Sequence, residues 1–150
     1  MPMIDVTYPA ETLTAEQREA LANELTTALL RAERAPDTEF FRSITWAFVH
    51  ELPAGAILTA GRPVQAPVVR VEATTPEGAL SERRRAEFVE AATKAVCDAF
   101  GIPQEETLTR VWVTCREIAE GSWGAGGQII QFQQLRDMAA AAREQEGTPA

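Results

Sequence analysis

Pro2 is where this sequence offers chemistry of its own. Once Met1 is removed, Pro2 becomes the N-terminus and carries a free secondary amine, which no internal proline has. An α-amino group in a small peptide titrates at about pH 8. An apolar pocket or a nearby cation lowers that value and frees the lone pair near neutrality. The amine then takes a proton alpha to a carbonyl and returns it elsewhere, which is keto–enol tautomerisation. Kept protonated, the same group is a general acid. A proline in second place also simply permits removal of the methionine, so the rest of the chain must decide.

An anionic substrate needs a local cation, because the net charge of −8 opposes it. Arg110 and Arg116 alternate with Trp112 along one expected strand, sharing its face, and either offers a bidentate grip on a carboxylate. Arg70 lies on the strand that Pro67 begins, Arg42 at the entrance of another, and His50 takes the place in the first half that Arg116 has in the second. Each has an alternative as an ion pair with one of the 22 acidic residues. Cys97, Cys115 and the single histidine lack metal-ligand spacing, so no metal is expected. Both thiols are expected reduced and at least half-buried, which fits a cytoplasmic protein. The acidic balance argues against nucleic acid as a partner. No apolar run approaches a membrane span, and no signal-peptide pattern opens the chain.

The elements that must position these residues are written twice. Pro2-Met3-Ile4-Asp5-Val6-Thr7 matches Pro67-Val68-Val69-Arg70-Val71-Glu72, each an alternating strand. Leu13-Thr14 and Leu80-Ser81 then place a hydroxyl to cap a helix, with Gln17 completing a capping box in the first. The spacing of Leu21, Leu25, Ala28 and Leu29 predicts a helix over about 15–32, and that of Phe88, Ala92, Ala95 and Val96 one over about 82–100. Strands over about 43–50 and 109–116 follow, with Trp46 and Trp112 in corresponding places. Gly61 pairs with Gly127 in the closing segments. The offset drifts between 65 (Pro2 to Pro67) and 67 (Leu13 to Leu80). Two βαβ units, about 2–62 and 67–132, thus form a single domain, and residues 133–150 a tail. The expected class is α+β, a four-stranded sheet with both helices on one face. Strands within each unit are parallel through a right-handed crossover. The tail reads as an exposed alanine-rich helix over about 133–145, with 147–150 frayed. The sheet's other face keeps Trp46, Phe48 and Trp112, which suggests packing against further subunits.

A proline heading a doubled βαβ unit resembles the tautomerase superfamily, whose architecture includes the MIF-like proteins. The segment Glu117-Ile-Ala-Glu-Gly-Ser-Trp-Gly-Ala-Gly-Gly127 looks like the end of a 4-oxalocrotonate tautomerase unit. The resemblance covers about residues 2–132. It implies a homotrimeric isomerase without cofactor, with Pro2 as general base on a small enol or keto acid and one active proline per chain. Pro67 is excluded because its nitrogen lies in a peptide bond. Trp123 corresponds to the aromatic residue lining the family's pocket, and Trp46 and Trp112 stand where the family's strand arginine lies in the two units. The other family arginine is replaced by Thr12 or Leu13 in one unit and Ala79 in the other. Arg110, Arg116, Arg70, His50 and Arg42 are therefore the substitutes to weigh for a carboxylate substrate. A dehalogenase, hydratase or decarboxylase of the same superfamily stays open, as does a catalytically silent scaffold.

Overall fold

The computed structural model describes residues 2–146. In chain order the first unit comprises β1 (Met3–Pro9), α1 (Ala15–Glu33), α2 (Glu39–Ser43), β2 (Trp46–Leu52), β3 (Leu58–Thr59) and β4 (Arg62–Pro63). The second comprises β5 (Val69–Pro76), α3 (Glu82–Phe100), α4 (Thr107–Arg110), β6 (Val111–Ile118), β7 (Gly124–Ala125) and β8 (Gln128–Ile129), and α5 (Phe132–Glu146) closes the chain.

Both long helices start at the hydroxyl caps read from the sequence. Thr14 accepts from the Gln17 amide in a full capping box, and Ser81 accepts from the Arg84 amide. The second ends at Gly101, whose φ of 62° is left-handed, a conformation glycine takes without steric cost. Strand order is β2-β1-β5-β6. β1 runs parallel to β2, and β5 parallel to β6. β1 and β5 are antiparallel, with Val6 opposite Val71 at the centre. That pairing joins the units about a local twofold axis.

One face of the sheet and the helices form the core. Ile4, Val6, Tyr8, Val69, Val71 and Ala73 pack against Leu25, Leu29, Phe88, Ala92 and Val96. Burying each large side chain contributes roughly 1.5–3 kcal/mol. Tyr8 meets Phe100 edge to face at 5.1 Å. The opposite face is open, with Trp46 60% and Trp112 68% exposed. Among the described residues no helix is long and apolar enough to cross a membrane.

The structure corrects the sequence reading in two places. The second strands begin later, at Trp46 and Val111, because a helical turn (α2, α4) precedes each. The C-terminal helix is not wholly exposed: Ala139 is buried with Leu30 and Phe41 in a second small core. Residues 147–150 lie outside the described residues.

The two hairpin turns differ at one of their two central residues. Ala125 pairs with Gln128 around Gly126 and Gly127, both at positive φ, and Thr59 pairs with Arg62 around Ala60 and Gly61. Such two-residue turns need positive φ at both central positions, and Ala60 adopts φ 51° against its Cβ. Ala60→Gly is expected to leave stability unchanged or raise it by up to about 1 kcal/mol, whereas Gly126→Ala costs about 1–2 kcal/mol. Urea denaturation of the two variants checks this pair.

Candidate active site

Pro2 is buried at the head of β1, where its carbonyl accepts from the Trp46 amide at 3.2 Å. This bond pins the start of β2 beside it. Because β1 and β5 are antiparallel, Pro2 also lies at the end of the second unit's strands, with Met3 opposite Thr74. The hairpin after β6 therefore folds over the proline. A cavity of about 650 Å³ results, lined by Pro2, Met3, Ser43, Ile44 and Trp46 from the first unit and Ile118, Ser122, Trp123 and Gly124 from the second. Trp46 and Trp123 place apolar surface beside the proline, a setting that disfavours a charged amine.

A recess of about 60 Å³ lies against Pro2 and Ile44 as well. Its other walls include Glu33, Phe41, Pro76, Phe132 and Arg136. Glu33, the last residue of α1, has its carboxyl pushed up to about 7 by burial. Neither Glu33 nor Arg136 makes a hydrogen bond or ion pair among the described residues.

The twofold axis generates a second cavity of about 410 Å³, lined by Val68, Val69, Arg70, Thr109, Arg110 and Trp112 with the β3–β4 hairpin. It stands over the start of β5, as the Pro2 cavity stands over the start of β1. Of the residues read from the sequence, Trp123 lines the cavity of Pro2, while Arg70, Arg110 and Trp112 line its counterpart.

Within one chain the remaining candidates are not brought to Pro2. Arg110 donates to the Pro67 carbonyl at 2.8 Å and to Glu106 at 2.6 Å. Arg42 is held by Asp37, Asn23 and Thr27. Arg116 lies 3.9 Å from Glu72 and His50 2.7 Å from Asp5, both on the open sheet face, where Arg70 also donates to Thr7 at 3.4 Å. Burial raises the thiols of Cys97 and Cys115.

The sequence reading missed Trp46 and Ile44 as walls of the proline's own cavity, and Glu33 and Arg136 altogether. For Glu33 a signal existed. An acid at a helix C-terminus faces the negative end of the macrodipole, an unfavourable place that asks for a reason. Arg136 gave none, since its helix read as solvent-exposed.

Fold and site together define a fused two-unit βαβ protein with a proline at the head of its first strand. Residues 67–133, which span the second unit, match the family model described as tautomerase enzyme. No curated protein sequence matches the chain. Similar solved structures include N1, a member of the cis-3-chloroacrylic acid dehalogenase (cis-CaaD) family, with a TM-score of 0.73 at 23% identity over 95% of this chain and 96% of that one. Pt0534 inactivated by 2-oxo-3-pentynoate gives 0.72 at 23% identity, over 89% and 98%. A fused 4-OT solved as a symmetric trimer gives 0.68 at 22% identity, over 92% and 98%. At these identities the likeness establishes the fold.

Glu33 ties stability to pH. Its folded carboxyl holds a proton up to about pH 7, against an ordinary value of 4.5. Stability from this group is thus fully present below about pH 4.5 and is lost as pH rises through about 7. Glu33→Gln removes the loss and is expected to be more stable than the natural chain above pH 7, by about 1–3 kcal/mol allowing for its partial exposure. Thermal melts across this range measure it.

Proposed function

We propose that this chain is a cofactor-independent tautomerase in which Pro2, freed by removal of Met1, is the general base on a small enol or keto acid. The observation that carries this reading is the burial of Pro2 at the junction of an aromatic cavity and a recess holding an unpaired arginine. The apolar walls favour the neutral amine, and Trp46 and Trp123 offer flat surfaces for a conjugated substrate. Pro67, at the corresponding place, has no free amine to offer, so the chain has one reactive centre. The unpaired thiols of Cys97 and Cys115 fit a cytoplasmic setting.

Pro2→Ala is expected to reduce turnover of simple enolpyruvates by about 100-fold or more. Unchanged turnover would sink the reading. Intact mass must show Met1 absent, since a retained methionine keeps the nitrogen an amide. An independent probe is 2-oxo-3-pentynoate. A secondary amine adds across its conjugated triple bond, forming one N–C bond, leaving a double bond and moving the amine proton to carbon. The expected adduct is one molecule on the N-terminal peptide.

One observation favours a second reading. The Glu33 carboxyl beside Pro2, once ionised, stabilises a protonated amine, which suits a general acid in hydration, dehalogenation or decarboxylation. An NMR titration of the proline nitrogen separates the two: a midpoint well above neutrality supports the acid, one near or below it the base.

We further propose a homotrimer, by likeness to the fused 4-OT trimer. Covering Trp46, Phe48 and Trp112 would remove the largest exposed aromatic surface of the sheet. Trp112→Glu is expected to lower the mass seen in sedimentation to that of one chain.

A further inference from the structure

We propose that the cavity beside the β3–β4 hairpin, at the opposite end of the sheet from Pro2, is a non-catalytic binding site for an amphipathic monocarboxylate. Arg70 and Arg110 grip the carboxylate, and the apolar body lies against Trp112. No amine takes part, because Pro67 at this end has its nitrogen in a peptide bond. The cavity measures about 410 Å³, within the range of small-molecule sites.

Charge distinguishes the two ends of the sheet. In a chain of net charge −8, this cavity is lined by two arginines and, among the described residues, by no acidic one. The cavity of Pro2 is lined by no charged side chain at all among those residues. Arg70 lies opposite Trp112 in the sheet register, and Arg110 ends α4 just before Val111, the partner of Val69. Two like charges lining one cavity repel each other unless an anion lies between them. Arg110 is largely buried, with 14% of its side chain exposed, and is already held at two points. Its Nε donates to the Pro67 carbonyl at 2.8 Å and its Nη1 to Glu106 at 2.6 Å. Its Nη2 is left without a partner among the described residues, on a guanidinium fixed before any ligand arrives, so little side-chain entropy is lost on binding. Arg70 meets no carboxylate among the described residues, and its partner is the Thr7 hydroxyl at 3.4 Å.

The same balance of charge selects the ligand. Arg70 and Arg110 carry two positive charges and Glu106 one negative, so a single positive charge is left to satisfy. A carboxylate cancels it and matches the planar fork of a guanidinium, whereas a phosphate monoester, at about −1.5 to −2, exceeds it. The rest of the lining is mainly apolar, with Ile57 and Leu58 from the hairpin and Val69 and Trp112 from the sheet. The Trp112 indole N–H is spent on the Leu108 carbonyl at 3.1 Å, so the side chain offers the ligand a ring surface rather than a donor. An aryl carboxylate therefore fits, and a second carboxylate on it would meet no further cation in the lining.

The probe is 2-naphthoate, an aromatic monocarboxylate with no proton alpha to its carboxyl group on a saturated carbon. Its binding to the full-length protein labelled with 5-fluorotryptophan is followed by fluorine NMR, with the three tryptophans assigned by replacing each with phenylalanine. The Trp112 resonance should shift on titration, and should still do so in Pro2→Ala. Arg70→Gln should weaken that response about 10- to 100-fold, the worth of a charge-assisted hydrogen bond, and Arg70→Lys should restore part of it. The neutral 2-naphthamide should bind about 10-fold or more weakly than the carboxylate. A titration that moves Trp123 but not Trp112 overturns the site, as does equal binding of the amide or an unaltered response in Arg70→Gln. So does an Arg70→Gln variant that sediments as one chain while the natural protein is larger, since an acid of a neighbouring copy then occupies the arginine. Circular dichroism on each variant confirms folding, and Arg70→Lys keeps the test decisive should Arg70→Gln unfold.

Discussion

The antiparallel pairing of β1 with β5 is the interaction on which the rest of the molecule depends. Neither unit can cover its own helix stripe and sheet, and the two complete one core only through this seam. Val6 and Val71, 1% and 0% exposed, meet at its centre. Because the strands run in opposite directions, the head of one unit's first strand lies beside the closing hairpin of the other. Pro2 is thereby enclosed by residues far from it in sequence, Trp123 and Ile118 among them. Parallel pairing at the same seam would put both strand heads at one end and leave each proline without a roof.

The same twofold relation makes two cavities and furnishes them differently. One holds the proline whose nitrogen can be freed, with two tryptophans and an unpaired arginine in the adjoining recess. The other holds Arg70, Arg110 and Trp112 but, with Pro67 bonded through its nitrogen, no amine. Amine and most nearby cations are thus segregated to opposite ends of the sheet. Arg136 restores a cation to the Pro2 end from outside the repeat, on α5.

Much of this was readable from the sequence because it is periodic. Alternating strands, helix stripes and hydroxyl caps repeat at nearly fixed offset, and the boundaries of α3 were read to the residue. The short helix α2 carries too few residues for a period to register. The docking of α5 rests on Ala139 and Ala142, whose small side chains leave no stripe of large apolar residues to find. Side-chain partners were the least legible. Arg42 and Arg110 looked available as cations, yet each is bound to acids close by in the chain, Asp37 and Glu106. The place of Glu33 at the end of α1 was a local signal, but its burial depends on what the tail later covers, which no local pattern records.

Trp46 belongs to two surfaces at once. It walls the cavity of Pro2, and it stands 60% exposed on the open face of the sheet, edge to face with Phe48 at 6.3 Å. Anything that settles on that face touches a wall of the cavity, and anything that fills the cavity touches part of the face. The two events are thermodynamically linked, and by mass action the filling of the cavity inherits a dependence on the concentration of whatever covers the sheet. With the proposed homotrimer covering that face, dilution becomes a variable of the site itself, on the same footing as acidity and ligand.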